Sequence, residues 1–283
     1  MSTDEFHIRT MRPDEISLAI DWAAAEGWNP GLADASCFAT IDPQGFLIGE
    51  LHGHAAACIS IVNYDEHFAF LGFYIVRPDL RKRGYGWLVW QAAIAHAGQR
   101  SIGLDSVLAQ KDRYLKSGFV FAYRNIRYAG KASVVCEDLQ PGIIPIGDVP
   151  INLIEAYDTE VFPAPRLDFL RAWIETEGHI GRALFPDGNL LGWGVIRPCR
   201  TGYKIGPLFA DDRTAAEAVL DALIAEVGNE EIFLDVPKIN SAAVKLAEAR
   251  GLKPVFETGR MYTGPIRPIN HRRIFGVTSF ELG

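Results

Sequence analysis

The sequence predicts an α+β protein made of two halves that repeat one order of strands and helices. Residues 71–130 and 203–264 both read as strand, turn, helix, short strand, helix and closing strand. Landmarks recur in the same order, 130 to 134 residues apart: Leu104-Asp105 with Leu234-Asp235, Gly118 with Gly251, and Gly130 with Gly264. Agreement over so long a stretch favours duplication over coincidence.

The types of the elements follow from the spacing of the apolar residues. The runs FAFLGFYIV and YKIGPLF have the length and composition of strands. In DRTAAEAVLDALIAEVG, apolar residues recur at i, i+3, i+4, i+7 and i+8, which is the stripe of an amphipathic helix. GWLVWQAAIAHAG predicts a buried helix that ends at Gly98. We therefore expect each half to be a mixed, mainly antiparallel sheet flanked by helices.

The chain length and one proline-rich stretch predict the domain boundaries. A chain of 283 residues is long enough for two domains of ordinary size. Residues 141–150 hold three prolines and two glycines, a composition typical of a linker. The prediction is a first domain at 1–140 and a second at 151–283.

The overall composition excludes several classes of function. A net charge of −7 argues against nucleic acid or an anionic membrane as a partner, because both need a broad basic surface. The N-terminus lacks the pattern of a signal peptide. Cys37, Cys58, Cys136 and Cys199 are widely spaced, which indicates neither a zinc site nor a disulfide framework. We expect a cytoplasmic protein without a metal.

One short stretch concentrates positive charge in this acidic chain. VRPDLRKRGYGWLVW, residues 76–90, joins a predicted strand to a predicted helix through four basic residues and two glycines. A helix N-terminus presents free N–H groups and favours anions, and Gly84 and Gly86 let a ligand approach the backbone. The stretch lacks both the P-loop pattern and the G-x-G-x-x-G fingerprint of dinucleotide sites. It predicts another kind of phosphate site.

This stretch resembles motif A of the Gcn5-related N-acetyltransferases, V-x-P-x-x-[RQ]-x-x-G-x-[GA]. Every fixed position is met, by Val76, Pro78, Arg81, Gly84 and Gly86. The resemblance implies that acetyl-CoA binds with its pyrophosphate on the turn and its pantetheine arm along the preceding strand. The implied cofactor-binding residues are Phe73, Tyr74, Ile75, Val76, Arg81, Lys82, Arg83, Gly84, Tyr85, Gly86 and Trp87. Gly72, inside that strand, predicts a bulge or a close backbone approach. The resemblance implies that a backbone N–H beside such a bulge polarises the thioester.

A second motif, DRYLKSGFVF, carries the predicted general acid. In the family, a tyrosine four residues before the glycine protonates the departing thiolate, and Tyr114 has that position before Gly118. The alternative is a half-buried aromatic on an amphipathic helix. The asparagine that the family usually has before this tyrosine is missing, and Gln110 is the candidate replacement.

The second half lacks these features. Where the first half has its basic turn, the second has Asp211 and Asp212, which would repel a pyrophosphate. Asn240 begins a family-like N-x-x-A-V-x-L pattern, but Ala247 stands in the place of the tyrosine. We expect a degenerate acetyltransferase-like domain, as in two-domain bacterial members of the family.

The acceptor side is less defined by the sequence. In the family, the region between the first two helices lines the acceptor pocket, and here it offers Trp28 and Asn29. The alternative is a helix-ending turn with a packed tryptophan. Glu50 is the residue chosen as general base, from three candidates that include Asp65 and Glu66. Arg260 and Tyr262 on the closing strand either face the cleft or lie at a sheet edge.

Two functions remain open at this point. The first is an acetyl-CoA-dependent N-acetyltransferase, in which an amine attacks the thioester directly while both substrates are bound. The second is an acyl-CoA-binding regulatory or interaction module without turnover. The expected partner is a small-molecule or peptide amine, and the expected state is a monomer or homodimer.

Overall fold

The computed structural model describes residues 6–131 and 140–283. The first half contains β1 (Phe6–Thr10), α1 (Ile16–Ala25), α2 (Asp34–Phe38), β2 (Phe46–Leu51), β3 (His54–Asn63), β4 (Phe68–Val76), α3 (Tyr85–Ala97), β5 (Ser101–Val107), α4 (Lys111–Lys116) and β6 (Val120–Lys131). The second half contains β7 (Ile143–Pro145), α5 (Ile151–Val161), α6 (Leu167–Glu175), β8 (Ile180–Leu184), β9 (Gly192–Pro198), β10 (Tyr203–Ala210), α7 (Arg213–Val227), β11 (Glu231–Pro237), α8 (Ser241–Ala249), β12 (Lys253–Tyr262) and β13 (Ile274–Gly276). The two predicted helices and two predicted strands are confirmed as α3, α7, β4 and β10.

The strands of the described residues join in one sheet. Its order is β1-β2-β3-β4-β5-β12-β6-β11-β10-β9-β8-β7, and β13 pairs with β10 off this path. Most neighbours are antiparallel, whereas β4–β5 and β10–β11 are parallel. The predicted α+β class, with a mixed and mainly antiparallel sheet, is confirmed.

The two halves exchange their closing strands. Strand β12 of the second half pairs with β5 of the first, and β6 of the first pairs with β11 of the second. The exchanged strands also pair with each other, with Asn125 opposite Thr258. On either side of that pair, Arg127 lies opposite Phe256 and Arg260 lies opposite Tyr123. The two halves are thus related by a pseudo-twofold axis through the centre of the sheet.

Each exchanged strand carries a buried arginine that pairs with the other half. Arg127 of β6 makes two hydrogen bonds to Asp235 of β11, at 2.6 and 2.7 Å. Arg260 of β12 bonds Asp105 of β5 in the same way, at 3.1 and 2.7 Å. All four side chains are almost fully buried, so each charge depends on its partner. The repeated Leu-Asp landmark therefore marks the two joints between the halves.

The predicted linker is partly structured. Residues 141–150 contain the edge strand β7 and a 3-10 turn at 146–148, and Ile146 and Val149 are buried. Proline suits this place because an edge strand can lose a backbone donor without breaking a ladder. The predicted domains, 1–140 and 151–283, share one sheet through β6 and β12.

Two open edges arise where the parallel pairs end. Pairing of β4 with β5 stops at Leu71 and Leu104, and pairing of β10 with β11 stops at Ile205 and Leu234. Beyond these points the strands diverge and leave a cleft in each half. The two clefts differ, because the first holds a cavity and the second is filled by β13.

Candidate active site

The basic turn lies at the end of the first cleft. Strand β4 ends at Val76, and α3 begins at Tyr85 after a left-handed residue, Gly84 (φ +91°). No side chain caps the first turn of α3, so its amide groups are available to a ligand. A Cβ on Gly84 would meet open space, whereas one on Gly86 would lie 2.9 Å from the Tyr74 hydroxyl. The two glycines leave the backbone of the first turn of α3 uncovered by side chains and allow it to lie close to β4.

Part of the positive charge in this turn is already paired. Arg77 forms a salt bridge with Asp79, and Arg81 bonds both the Val76 carbonyl oxygen and Glu26. Lys82 and Arg83 are exposed and make no ion pair within the described residues. They are the cations of this corner that remain available to an anionic ligand.

The corresponding corner of the second half is closed by its own side chains. Asp212 caps α7 by accepting a hydrogen bond from the Ala215 amide at 2.9 Å. Asp211 accepts a hydrogen bond from Tyr157 and pairs with Arg273. Carboxylates therefore occupy the place that a phosphate would need.

The second cleft is also filled. Strand β13 pairs with β10 at Leu208 and Phe209, where the diverging strand would otherwise be free. Asn240 caps α8 and donates hydrogen bonds to the carbonyl oxygens of Arg272 and Ile274, at 3.0 and 2.9 Å. The segment that ends in β13 thus fills the second cleft.

The first cleft holds a cavity of about 100 Å³ beside the open edge of β4. Its walls come from both halves, because β6, β12 and the segment after β13 all reach it. Most of its surface is apolar. The lining residues are Trp28, Leu71, Gly72, Phe73, Tyr74, Leu104, Asp105, Val107, Gln110, Tyr114, Arg127, Phe256, Thr258, Phe280 and Glu281.

Strand β4 carries a bulge at the wall of this cavity. Ser60 pairs with Gly72 and Cys58 with Ile75, so two residues of β4 face one residue of β3. Phe73, inside the bulge, has φ +45°, a strained value for a bulky residue. The prediction of a bulge next to Gly72 is confirmed.

Known proteins match both halves. A model described as "Acetyltransferase (GNAT) family" matches residues 14–119, and one described as "Acetyltransferase (GNAT) domain" matches residues 154–276. Holothin acyltransferase from Pseudoalteromonas sp. (strain SANK 73390) is 30% identical over 271 residues, which cover 95% of this chain and 92% of the relative.

This chain belongs to the Gcn5-related N-acetyltransferase (GNAT) family.

Solved GNAT structures agree with the tandem fold. A putative acetyltransferase from Pyrococcus horikoshii superimposes with a TM-score of 0.83 at 22% identity, covering 100% of this chain and 98% of that one. A tandem GNAT protein from the clavulanic acid biosynthesis pathway superimposes with a TM-score of 0.66 at 14% identity, covering 92% and 99%. The predicted tandem of GNAT domains is confirmed, and the chain is an acyltransferase-family protein.

The residues expected to hold the GNAT cosubstrate lie at the end of β4, on the basic turn and in the first turn of α3. Tyr74 lines the cavity, and Gly84, Gly86 and Trp87 lie at the start of α3. The Trp87 side chain is 59% exposed on the first turn, next to the bare backbone. Phe73, Ile75 and Tyr85 point into the core, so only their backbone groups remain for a ligand.

Tyr114 lies in the cavity wall at the middle of α4. Its ring packs against Trp90 and Phe119, with centroids 5.8 and 5.9 Å away. Burial raises the pKa of Tyr114, and the neighbouring Tyr74 raises it further. The phenol is therefore protonated at neutral pH.

Gln110 occupies the position before α4 that Asn240 occupies before α8. Gln110 lines the cavity, and its side chain makes no capping bond. The suggestion that Gln110 replaces the missing asparagine agrees with this position.

The two predicted acceptor residues have different environments. Trp28 lines the cavity, and its carbonyl oxygen accepts a 2.6 Å hydrogen bond from Arg127. The side chain of Asn29 exchanges two 3.0 Å hydrogen bonds with the backbone of Thr201 in the second half. Asn29 therefore joins the two halves, and its amide is not free for a ligand.

Glu50 does not reach the cavity. It lies near the end of β2, and its carboxylate accepts a 2.6 Å hydrogen bond from Arg9, which also binds Glu15. Glu50 thus belongs to a surface ion-pair cluster. The cavity instead contains Glu281, which comes from the segment after β13 and follows no sequence motif.

Residues 6–131 and 140–283 contain no group of metal ligands, no disulfide and no membrane-spanning helix. No group of three or more His, Cys, Asp or Glu side chains there could hold a metal ion. Cys37, Cys58 and Cys199 are free and buried, and Cys136 lies outside the described residues. Within the same ranges, no helix is both long enough and apolar enough to span a bilayer.

Proposed function

We propose that this chain is an acetyl-CoA-dependent N-acetyltransferase that moves the acetyl group to a primary amine while both substrates are bound. The observation that carries the proposal is the open corner between β4 and α3. It is bare and cationic in the first half, whereas carboxylates close its counterpart in the second half and β13 fills the neighbouring cleft.

The corner suits the pyrophosphate of CoA. Amide groups at the start of α3 would donate to phosphate oxygens, and Lys82 and Arg83 would add charge. Gly84 leaves open space beside the turn, and Gly86 lets the start of α3 lie close to β4, because a side chain there would meet Tyr74. The free edge of β4 beyond Leu71 offers backbone groups to the amides of the pantetheine arm.

Two groups of this chain would promote the transfer. Backbone N–H groups of the bulged stretch 73–76 would stabilise negative charge that develops on the thioester oxygen. Tyr114, kept protonated by burial, would donate its proton to the leaving sulfur. Trp28 would form an apolar wall for the acceptor.

The test is acceptor-dependent release of free CoA by the full chain and by Gly86→Glu. The new carboxylate would lie at the second position of α3, and we expect release to fall by at least about 100-fold because of lost cosubstrate binding. Thr214→Glu is the matched control, because Thr214 has the same position in α7. Equal losses in both variants, or no loss in Gly86→Glu, would contradict the proposed site. Binding of acetyl-CoA without release in the presence of amines would instead indicate a non-catalytic module.

A further inference from the structure

Glu281 is a buried acid that the proposed mechanism does not yet use. The residue lines the cavity and is 3% exposed, and its Oε2 atom has no hydrogen-bond partner in the described part of the chain. A buried carboxylate oxygen without a partner is costly in a structural role. A substrate that donates a hydrogen bond to it would remove that cost.

The position of Glu281 relative to the bulge is fixed by close packing. A Cβ on Gly72 would lie only 2.1 Å from the Glu281 carbonyl oxygen, so these two backbones are in direct contact. Glu281 therefore lies beside Gly72, the residue that precedes the bulge of β4.

The segment that carries Glu281 is held on both sides. Phe280 packs under the Arg127 guanidinium, 4.8 Å from the ring centroid, and Arg127 is fixed by Asp235. The Leu282 carbonyl oxygen accepts a 2.7 Å hydrogen bond from Tyr64. Such support holds a catalytic group in one geometry before the substrate arrives.

The remaining charges of the cavity are already neutralised. Asp105 pairs with Arg260, and Arg127 pairs with Asp235. Glu281 is thus the one cavity carboxyl among the described residues that makes no hydrogen bond through its side chain. One acid without a hydrogen bond and mainly apolar walls with several aromatic residues fit an acceptor with one amine and an apolar body. They do not fit a polycation, which would need several free carboxylates.

We propose that Glu281 accepts the proton of a small aromatic primary amine that packs against Trp28 and Phe280. The inference rests on the proposed function and adds the acceptor class and the general base. It replaces Glu50, which Arg9 holds outside the cavity.

The proton transfers balance as follows. The amine nitrogen forms a bond to the thioester carbon, and Glu281 takes one proton from that nitrogen. The carbon–sulfur bond breaks, the sulfur keeps the electron pair, and Tyr114 gives it a proton. Solvent then returns one proton to Tyr114 and removes one from Glu281. The net products are the amide and free CoA.

The surroundings of Glu281 set its titration. Burial raises the pKa of Glu281, Lys204 of β10 and Arg127 of β6 oppose that rise, and Asp34 of α2 and Asp235 of β11 add to it. Because a base must be ionised to act, kcat/KM should increase with pH through this raised pKa. This rise of kcat/KM with pH, the acidic limb of the pH profile, belongs to Glu281 only if it disappears when the Glu281 carboxylate is removed.

The experiment measures acetylation of aniline, benzylamine and spermine by the full chain from about pH 5 to 9. Aniline is neutral over most of this range, which separates titration of the protein from titration of the amine. Variants are Glu281→Gln, Glu281→Asp and the control Glu217→Gln, whose residue pairs with Arg213 on the surface of α7. Calorimetric binding of acetyl-CoA to each variant reports whether the cosubstrate site is intact.

We expect the aromatic amines to be acetylated in preference to spermine. Glu281→Gln should lower kcat by about 100-fold and abolish the pH limb, with acetyl-CoA binding unchanged. Glu281→Asp should keep part of the activity and the limb. Glu217→Gln should resemble the unmodified chain.

Three results would overturn the inference. These are preference for spermine, a pH limb that survives in Glu281→Gln, and acetyl-CoA binding without acetylation of either aromatic amine. Failure of the unmodified chain to bind acetyl-CoA would instead overturn the proposed function. If Glu281→Gln loses acetyl-CoA binding and Glu281→Asp loses the limb, the role of Glu281 is structural.

Discussion

At the scale of single residues, Tyr114 is the proposed proton donor, and its packing keeps the phenol protonated. Its ring lies among Trp90, Phe119 and Tyr74, and burial keeps its phenol protonated. A donor of this kind speeds the step in which sulfur leaves and has no part in cosubstrate binding.

The first prediction concerns Tyr114→Phe. We expect kcat for acyl transfer to fall by about 100-fold, because the thiolate must leave without a proton, while the Kd of acetyl-CoA is unchanged. Steady-state kinetics and calorimetry measure the two quantities. Tyr203→Phe, in the second half and outside the cavity, is the control. An unchanged kcat across the pH range would show that another group supplies the proton.

The second prediction concerns the pH dependence of stability. Burial lowers the pKa of His179 to about 4, since the ring packs on Trp173 and the positive charge of Arg197 lies nearby. The unfolded chain therefore binds more protons between pH 6.5 and 4, and stability falls as the pH falls through that window. The contribution is at most about 3 kcal/mol. In urea unfolding, the free energy of unfolding should fall less between pH 6.5 and 4 in His179→Asn than in the unmodified chain. An equal fall in both would contradict the assignment to His179.

Sequence and structure agree on the positions of residues that local patterns or the family resemblance define. Gly84 and Gly86 were expected at a bare helix start from the sequence pattern, and Trp28 and Tyr114 were expected at the cleft from the resemblance. Glu281 could not be predicted, since its contact with Gly72 joins residues that no local pattern connects. Glu50 was chosen for its type, and its pairing with Arg9 depends on strand register.

At the scale of elements, the third prediction tests the contact between β4 and the segment after β13. Gly72→Ala would place a methyl group 2.1 Å from the Glu281 carbonyl oxygen, so the segment must move. We expect a loss of about 1–3 kcal/mol in unfolding free energy, with a matching loss of transferase activity. Gly147→Ala is the control, because a Cβ there meets nothing within 4 Å. Equal stability of the two variants would contradict this packing.

The elements differ in how far the sequence predicts them. The bulge in β4 was predicted because glycine inside a strand is typical of one, and α7 because its apolar stripe is regular. The filling of the second cleft was not predicted. Asn240 belongs to a family-like pattern and Asp212 reads as a charge that repels phosphate, whereas in the structure Asn240 holds β13 and Asp212 caps α7. The same side chains can serve a ligand or the protein itself, and only the contacts distinguish the two.

At the scale of the whole molecule, the exchange of β6 and β12 makes the two halves interdependent. The fourth prediction is that residues 1–140 alone do not form a stable folded monomer. Strand β5 would lose β12, and the buried Asp105 would lose Arg260. Circular dichroism and size-exclusion chromatography of the fragment measure this. A folded monomer that binds acetyl-CoA would contradict it.

The exchange itself lies beyond local sequence patterns. A closing strand has the same alternation of apolar and polar residues whether it pairs within its own half or with the other half. The sequence alone therefore places β6 and β12 in their own halves. The landmarks did predict the pseudo-symmetry, because Asp105 and Asp235 recur in equivalent places. Their arginine partners show that the repeat stabilises the joint between the halves.

The central claim is that only the first half binds acyl-CoA, and its most direct test is the stoichiometry of acetyl-CoA binding to the full chain. Isothermal titration calorimetry should give one site per chain, lost in Gly86→Glu and kept in Thr214→Glu. Two sites per chain, or one site that survives in Gly86→Glu, would contradict the account, because binding would then not depend on the open corner at α3.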